Sequence, residues 1–146
     1  MTFTTPPEER SAWIMLLLAL VGYPVYLGLL FAGAGDRPLA EIPFAWPMIW
    51  TTVGSIGASI VLHALARVYT DKESNRRDER DLRINRWSAH VGLGFVVAGA
   101  LAGLGLAMLG AAQFWIANAI FLGFFLSSAL GAIVKIVAYR RGLREW

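Results

Sequence analysis

Hydrophobic positions along this chain gather into long runs, and the charged residues fall between them. From Ala12 to Ala32 the interruptions are Tyr23, Pro24 and Tyr26, with Glu8, Glu9 and Arg10 just outside. A helix rises 1.5 Å per residue, so about 20 apolar residues cross a hydrocarbon core about 30 Å thick. This first run predicts crossing one, over 12–32. Ala32-Gly33-Ala34 resembles the small-residue cleavage site of a secretory signal. A signal's apolar region is only about 7–15 residues and follows a basic segment, however, so the run is read as a retained crossing.

Gly33 to Pro43 reads as a turn-rich, water-facing connector, and Pro47 suits the first turn of a helix, where a missing N–H costs nothing. Crossing two is predicted over 47–68, a charged loop over 69–86 and crossing three over 87–112. Gln113 to Trp115 is too short to be more than a turn, so crossing four, over 116–138, returns antiparallel to crossing three as a helical hairpin. The expected fold is all-α: one domain over 1–146, a polytopic antiparallel bundle of four transmembrane helices.

Composition agrees with this pattern. Of 146 residues, 57% are hydrophobic and 16% charged, against about a quarter charged in an ordinary soluble domain. There is no cysteine, which excludes disulfides, thiol catalysis and thiolate metal sites. Neither metal nor cofactor is expected as a resident group, and no HExxH, GxSxG or phosphate-binding loop is present, so the chain reads as no enzyme.

The basic residues give the orientation. Arg10 precedes crossing one, Arg67, Lys72, Arg76, Arg77, Arg80, Arg83 and Arg86 border or fill the middle loop, and Lys135, Arg140, Arg141 and Arg144 close the chain. Only Arg37 belongs to the opposite side. Lysine and arginine flanking crossings are retained on the cytoplasmic side, so both termini and the 69–86 loop are expected there. Trp13, Tyr69, Trp87 and Tyr139 then fall at one interface and Trp46, Trp50 and Trp115 at the other. Topology and attraction to anionic lipid account for the net charge of +3, and no nucleic-acid motif accompanies it.

Helices in lipid approach closely where small residues allow it. At 100° per residue, Gly92, Gly99, Gly103 and Gly110 fall on one line of crossing three, and Gly94, Ala98 and Gly105 on the opposite side. Crossing four repeats small residues every fourth position, at Ala119, Gly123, Ser127 and Gly131, and crossing one has Gly28 and Ala32. One glycine face of crossing three is expected to pack on crossing four and the other on a second copy or another membrane protein, so the bilayer and a homo-oligomer or membrane partner are the expected associations. Pro24 is expected to kink crossing one.

Two constellations are candidates for function. The loop N75-R76-R77-D78-E79-R80-D81 offers Arg76, Arg77, Asp78, Glu79, Arg80 and Asp81 as a docking surface, on a helical extension capped by Asn75 and leading into crossing three. Its carboxylates also suggest a cation site, which the surrounding basic residues oppose. The DERD run from Asp78 to Asp81, with Ile84 and Ser88 beyond it, resembles a group of uncharacterised bacterial four-helix membrane proteins with a DERD-type loop between their second and third helices. The resemblance implies a bacterial inner-membrane protein and carries no activity with it. Where that group is expected to have an aromatic residue three or four positions after the serine, Val91 and Gly92 stand here.

The second constellation is intramembrane. Thr52, Ser55, Ser59 and His63 form a polar stripe on crossing two, which must face protein or water. His63, His90 and Lys135 each lie about one turn inside an arginine, at one depth, and together suit a vestibule, a proton relay or an anion site. Lys135 is also long enough to reach the headgroups. Asn118 and Gln113, near the far side, suit caps or interhelical hydrogen bonds. Three function classes follow: a non-enzymatic scaffold or regulatory subunit acting through the charged loop and glycine faces, a small channel or permease lined by the polar stripe, and a haem or metal redox subunit with His63 and His90 as axial ligands.

Overall fold

The computed structural model describes residues 6–69 and 79–141. Among them the chain forms four long helices and no strand: α1 (Pro7–Ala32), α2 (Ala45–Val68), α3 (Glu79–Met108) and α4 (Gln113–Arg141), with a single 3-10 turn at Leu39–Glu41. All four are long and apolar enough to cross a membrane. The fold is therefore the expected all-α four-helix bundle. Expectations placed on Lys72, Asn75, Arg76, Arg77, Asp78 and Arg144 lie outside the described residues.

Local chemistry sets the helix ends. Pro7 occupies the first turn of α1, and Glu8 and Glu9 sit beside its positive end. α1 continues through Pro24 as one element to Ala32. α2 begins at Ala45, with Pro47 in its first turn as the sequence predicts. α3 starts at Glu79, so the helical extension ahead of crossing three is continuous with the crossing.

The hairpin turn falls earlier than expected. α3 ends at Met108, Gly110 takes φ +71°, and the N–H groups of Gly110 and Ala111 donate to the carbonyls of Ala107 (3.0 Å) and Leu106 (2.9 Å). That is a Schellman termination, which requires a left-handed residue and so selects glycine. Gly110 is a turn residue and not part of the packing line, while Gln113 to Trp115 form the first turn of α4.

Packing follows the order α2, α1, α4, α3, and α1 and α4 form the centre. Each packed pair runs antiparallel, since Glu8 near the start of α1 meets Lys135 near the end of α4, Ser11 of α1 meets His63 of α2, and Asp81 of α3 meets Tyr139 of α4. The α3–α4 interface is the closest. A Cβ built on Gly99 would lie 2.8 Å from the Gly123 Cα, and one on Gly92 would lie 3.1 Å from the Ser127 Oγ. Gly103 sits under Ile120, and Gly131 against the backbone at Ser88 and Gly92. The two small-residue lines therefore pack on each other, within one chain.

At the opposite end α1 and α4 close over an aromatic cluster. Tyr26 is fully buried, its ring 4.7 Å from that of Phe121, and its hydroxyl donates to Asn118 Oδ1 (2.6 Å) while Asn118 Nδ2 donates to the Phe114 carbonyl (2.8 Å). Ala34 and Ile42 are buried in the same cluster. This corrects the reading of 33–43 as simply water-facing. The connector turns at Gly35 (φ +56°) and folds back over the ends of α1 and α4, because its few apolar side chains find cover there.

Candidate functional site

Charged residues at the starts of α1 and α3 and toward the end of α4 form a polar junction of the three helices. Glu8 and Glu9 follow Pro7 in the first turn of α1, so both side chains lie at the level of the last turns of the antiparallel α4. Lys135 Nζ donates to Glu8 Oε2 at 2.8 Å, the two side chains being 11% and 17% exposed. Asn85 Nδ2 approaches the same oxygen at 3.4 Å. Glu9, buried, accepts from Arg140 Nε (3.1 Å) and Trp13 Nε1 (3.4 Å), and the Arg140 guanidinium stacks 5.3 Å from the centre of the Trp13 ring. Tyr139 donates to Asp81 Oδ1 at 2.6 Å. Of the docking candidates, Asp81 is thus committed within the chain, while Glu79 and Arg80 are exposed on the first turn of α3.

This junction changes the reading of Lys135. Its amine turns inward to a carboxylate of α1 instead of reaching the headgroups or a vestibule. Among the described residues no buried side-chain nitrogen or oxygen lacks a hydrogen-bond partner, so the junction is a satisfied structural network.

The polar stripe of α2 faces α1. Ser55 lies against Gly22, where an added Cβ would stand 3.2 Å from its Oγ. His63 Nδ1 is 2.7 Å from the Ser59 carbonyl and must donate to it, because a carbonyl only accepts. In the neutral ring Nε2 is then the acceptor, and the Ser11 hydroxyl donates to it at 2.9 Å. Thr52 donates to the Met48 carbonyl one turn back (2.7 Å). Thr52 and His63 are thus satisfied by the helix's own backbone and one serine of α1.

His90 is on the other side of the bundle. It is exposed on α3, and its Nδ1 donates to the Arg86 carbonyl at 2.7 Å. α2 and α3 share no packed interface, so the fold does not bring His63 and His90 together as an axial pair, and it places Lys135 on a third interface. Equal depth along four helices does not mean adjacency, since helical phase decides which neighbour each side chain meets. Among the described residues no three His, Asp or Glu side chains cluster as metal ligands.

Because α2 leans mainly on α1, a groove of about 620 Å³ opens between α2 and α4. Met15 and Leu18 of α1 form its floor, Thr52, Ser55 and Ser59 line one wall, and Phe124 and Ser128 the other. Its size is that of a small-molecule site, about 300–1,000 Å³, and its walls are mainly apolar.

Ser11 and the acidic pair Glu8 and Glu9 escaped the sequence reading. Ser11 stands at the edge of the apolar run, and antiparallel pairing of α1 with α2 would have matched its depth to that of His63. Glu8 and Glu9 read as flanking charges, and nothing local marks them as buried partners.

Fold and site together define a multi-pass membrane protein held together by a polar junction at one end and an aromatic cluster at the other. No family model, curated protein or solved structure matches the chain.

Proposed function

We propose that this protein is a non-enzymatic membrane scaffold or regulatory subunit, and that α2 is the helix through which it associates with a second copy of itself. The one observation that carries this reading is the one-sided attachment of α2. Thr51 is its single buried residue, and Gly54 and Gly57 open a notch beside Trp50 and Val61 in which an added Cβ would meet nothing within 4 Å. These positions lie more than a quarter turn around the helix from the His63 line that faces α1. Small residues let another helix approach in lipid, and the same notch on two copies would pair around a two-fold axis. The outward line of α3, Gly94, Ala98 and Gly105, is also open, but Leu101 stands in its middle and blocks close approach.

The charged segment contributes a second surface. Arg80 is in the first turn of α3, Arg76 and Arg77 precede it in the sequence, and the distribution of basic residues favours a cytoplasmic segment here. The inner membrane of a bacterium is the setting that the DERD resemblance implies.

The chain contains no cysteine, so a single one can be placed at will. Gly57→Cys is expected to yield a disulfide-linked dimer on mild oxidation in native membranes, and Leu101→Cys only monomer. Gly54→Leu should convert the dimer to monomer in mild detergent without loss of insertion. A wild-type chain that runs as a monomer at all concentrations, with no Gly57→Cys cross-link, overturns the proposal. Charge reversal at Arg76, Arg77 and Arg80 should release any cytoplasmic partner while the dimer persists.

A further inference from the structure

We propose that the groove between α2 and α4 binds a neutral, lipid-soluble ring compound with carbonyl oxygens on opposite edges, a molecule of the quinone class. The groove and the Gly54–Gly57 notch lie on opposite faces of α2, and the inference does not rest on the association proposed above.

The first argument is a set of hydroxyl protons without acceptors. Thr51, Thr52 and Ser88 each donate to a carbonyl of their own helix, at 2.7, 2.7 and 3.0 Å. Ser55 and Ser128, which line the groove half-buried, have no hydrogen-bond partner among the described residues. Ser59 Oγ is 3.4 Å from His63 Nδ1, which already carries the proton given to the Ser59 carbonyl, so the Ser59 hydroxyl proton lacks an acceptor too. The three lie close in depth. An added Cβ on Gly22 would meet both Ser55 and Phe125, which puts those two at one level. α2 and α4 run parallel, each being antiparallel to α1, so Ser59, one turn on from Ser55, stands at the level of Ser128, one turn on from Phe125. Ser128 is about 20 Å from the end of α4 at Arg141, too deep for headgroups or bulk water to meet these donors. A donor left unmet in hydrocarbon is costly, and the groove is where an acceptor can enter.

The second argument is what the walls select. No side chain lining the groove is charged, so the occupant is neutral. An acyl chain brings no acceptor at this depth. A helix is about 10–12 Å across and needs small residues to approach, whereas Met15, Ile56, Ile60 and Phe124 stand on the rims. Phe121 and Phe125 meet edge to face with ring centres 5.0 Å apart, and with Phe124 they form an aromatic wall against which a flat ring can lie. Donors stand on both sides of that ring, so acceptors are needed on both of its edges. One carbonyl oxygen, with two lone pairs, takes Ser55 and Ser59 of α2, and the other takes Ser128 of α4. Ile56, Ile60 and Phe124 are more than half exposed, so the groove opens toward lipid and an apolar tail on the ring has a way out.

The test is native mass spectrometry of the full chain in mild detergent with decyl-1,4-benzoquinone and, separately, with decylbenzene, which has a six-membered ring and the same tail but no carbonyls. The wild type should retain one quinone per chain and favour it about 25-fold over decylbenzene, the effect of two neutral hydrogen bonds. Ser55→Ala and Ser128→Ala should each lower quinone retention about fivefold and leave decylbenzene unchanged. Ser127→Ala, which removes a hydroxyl that faces Gly92 of α3, should change neither. Ile60→Trp, on the exposed rim, should lower retention of both by obstructing the groove. The proposal fails if the wild type retains no quinone or retains both compounds equally. It also fails if Ser55→Ala and Ser128→Ala keep the full preference, if Ser127→Ala loses it as they do, or if Ile60→Trp binds as the wild type does. The dimer is read from the same spectra, so loss of quinone with the dimer intact, or the reverse, separates this inference from the association through α2.

Discussion

At the level of single residues, two glycines and one ion pair show how closely this bundle is specified. Gly99 and Gly123 meet backbone to backbone, so a methyl on either must push α3 and α4 apart. Gly99→Ala is expected to destabilise the protein by about 1–3 kcal/mol, the range for overpacking, whereas Gly94→Ala, on the open side of the same helix, should be neutral. Comparative unfolding in one detergent decides the point, and equal stability of the two variants would contradict the packing. The Glu8–Lys135 pair is a different case. Breaking a buried pair by removing one partner costs about 3–5 kcal/mol, because a charge is left without compensation. Lys135→Met alone should approach that loss, and Glu8→Gln with Lys135→Met should recover most of it.

At the level of helices, the point of interest is which neighbour each one has. α4 has α1 on one side and α3 on the other, while α2 packs chiefly on α1. A double variant Ser11→Cys with His63→Cys should therefore be bridged within one chain by a short bifunctional thiol reagent, and His63→Cys with His90→Cys should not. The reverse result would bring back the arrangement in which both histidines serve one ligand. The turn between α3 and α4 is equally specific. Gly110→Ala places a Cβ at φ +71°, and a cost of about 1–2 kcal/mol is expected in the same unfolding assay, since left-handed backbone is disfavoured for residues with a side chain.

For the molecule as a whole, the polar junction and the aromatic cluster occupy opposite ends. The junction ties the start of α1 to the end of α4 and the start of α3, which brings these three helix ends to one end of the bundle. Single cysteines at Tyr69 and Arg141 should be labelled from the same side of the membrane, and one at Ala40 from the other. If the positive residues set orientation here, Ala40→Cys is the one reached in intact cells. Labelling of Tyr69→Cys in intact cells would invert the topology.

Fold class, the number of crossings and the α3–α4 interface were legible in the linear pattern, because apolar length and small-residue spacing are properties of one helix at a time. Gly92, Gly99, Gly103, Gly123, Ser127 and Gly131 could be assigned that way; Gly110 could not, because the spacing that continues a helix line also suits the residue that ends it. The candidate site was less legible. His63, His90 and Lys135 are expected at one depth, but an expected depth says nothing about which helices are neighbours. Only the tertiary arrangement decided that His63 turns to Ser11, that Lys135 turns to Glu8, and that α2 stands off from α4 to leave a groove. Those outcomes depend on the relative rotation of separate helices, and rotation is set by contacts between residues far apart in the chain.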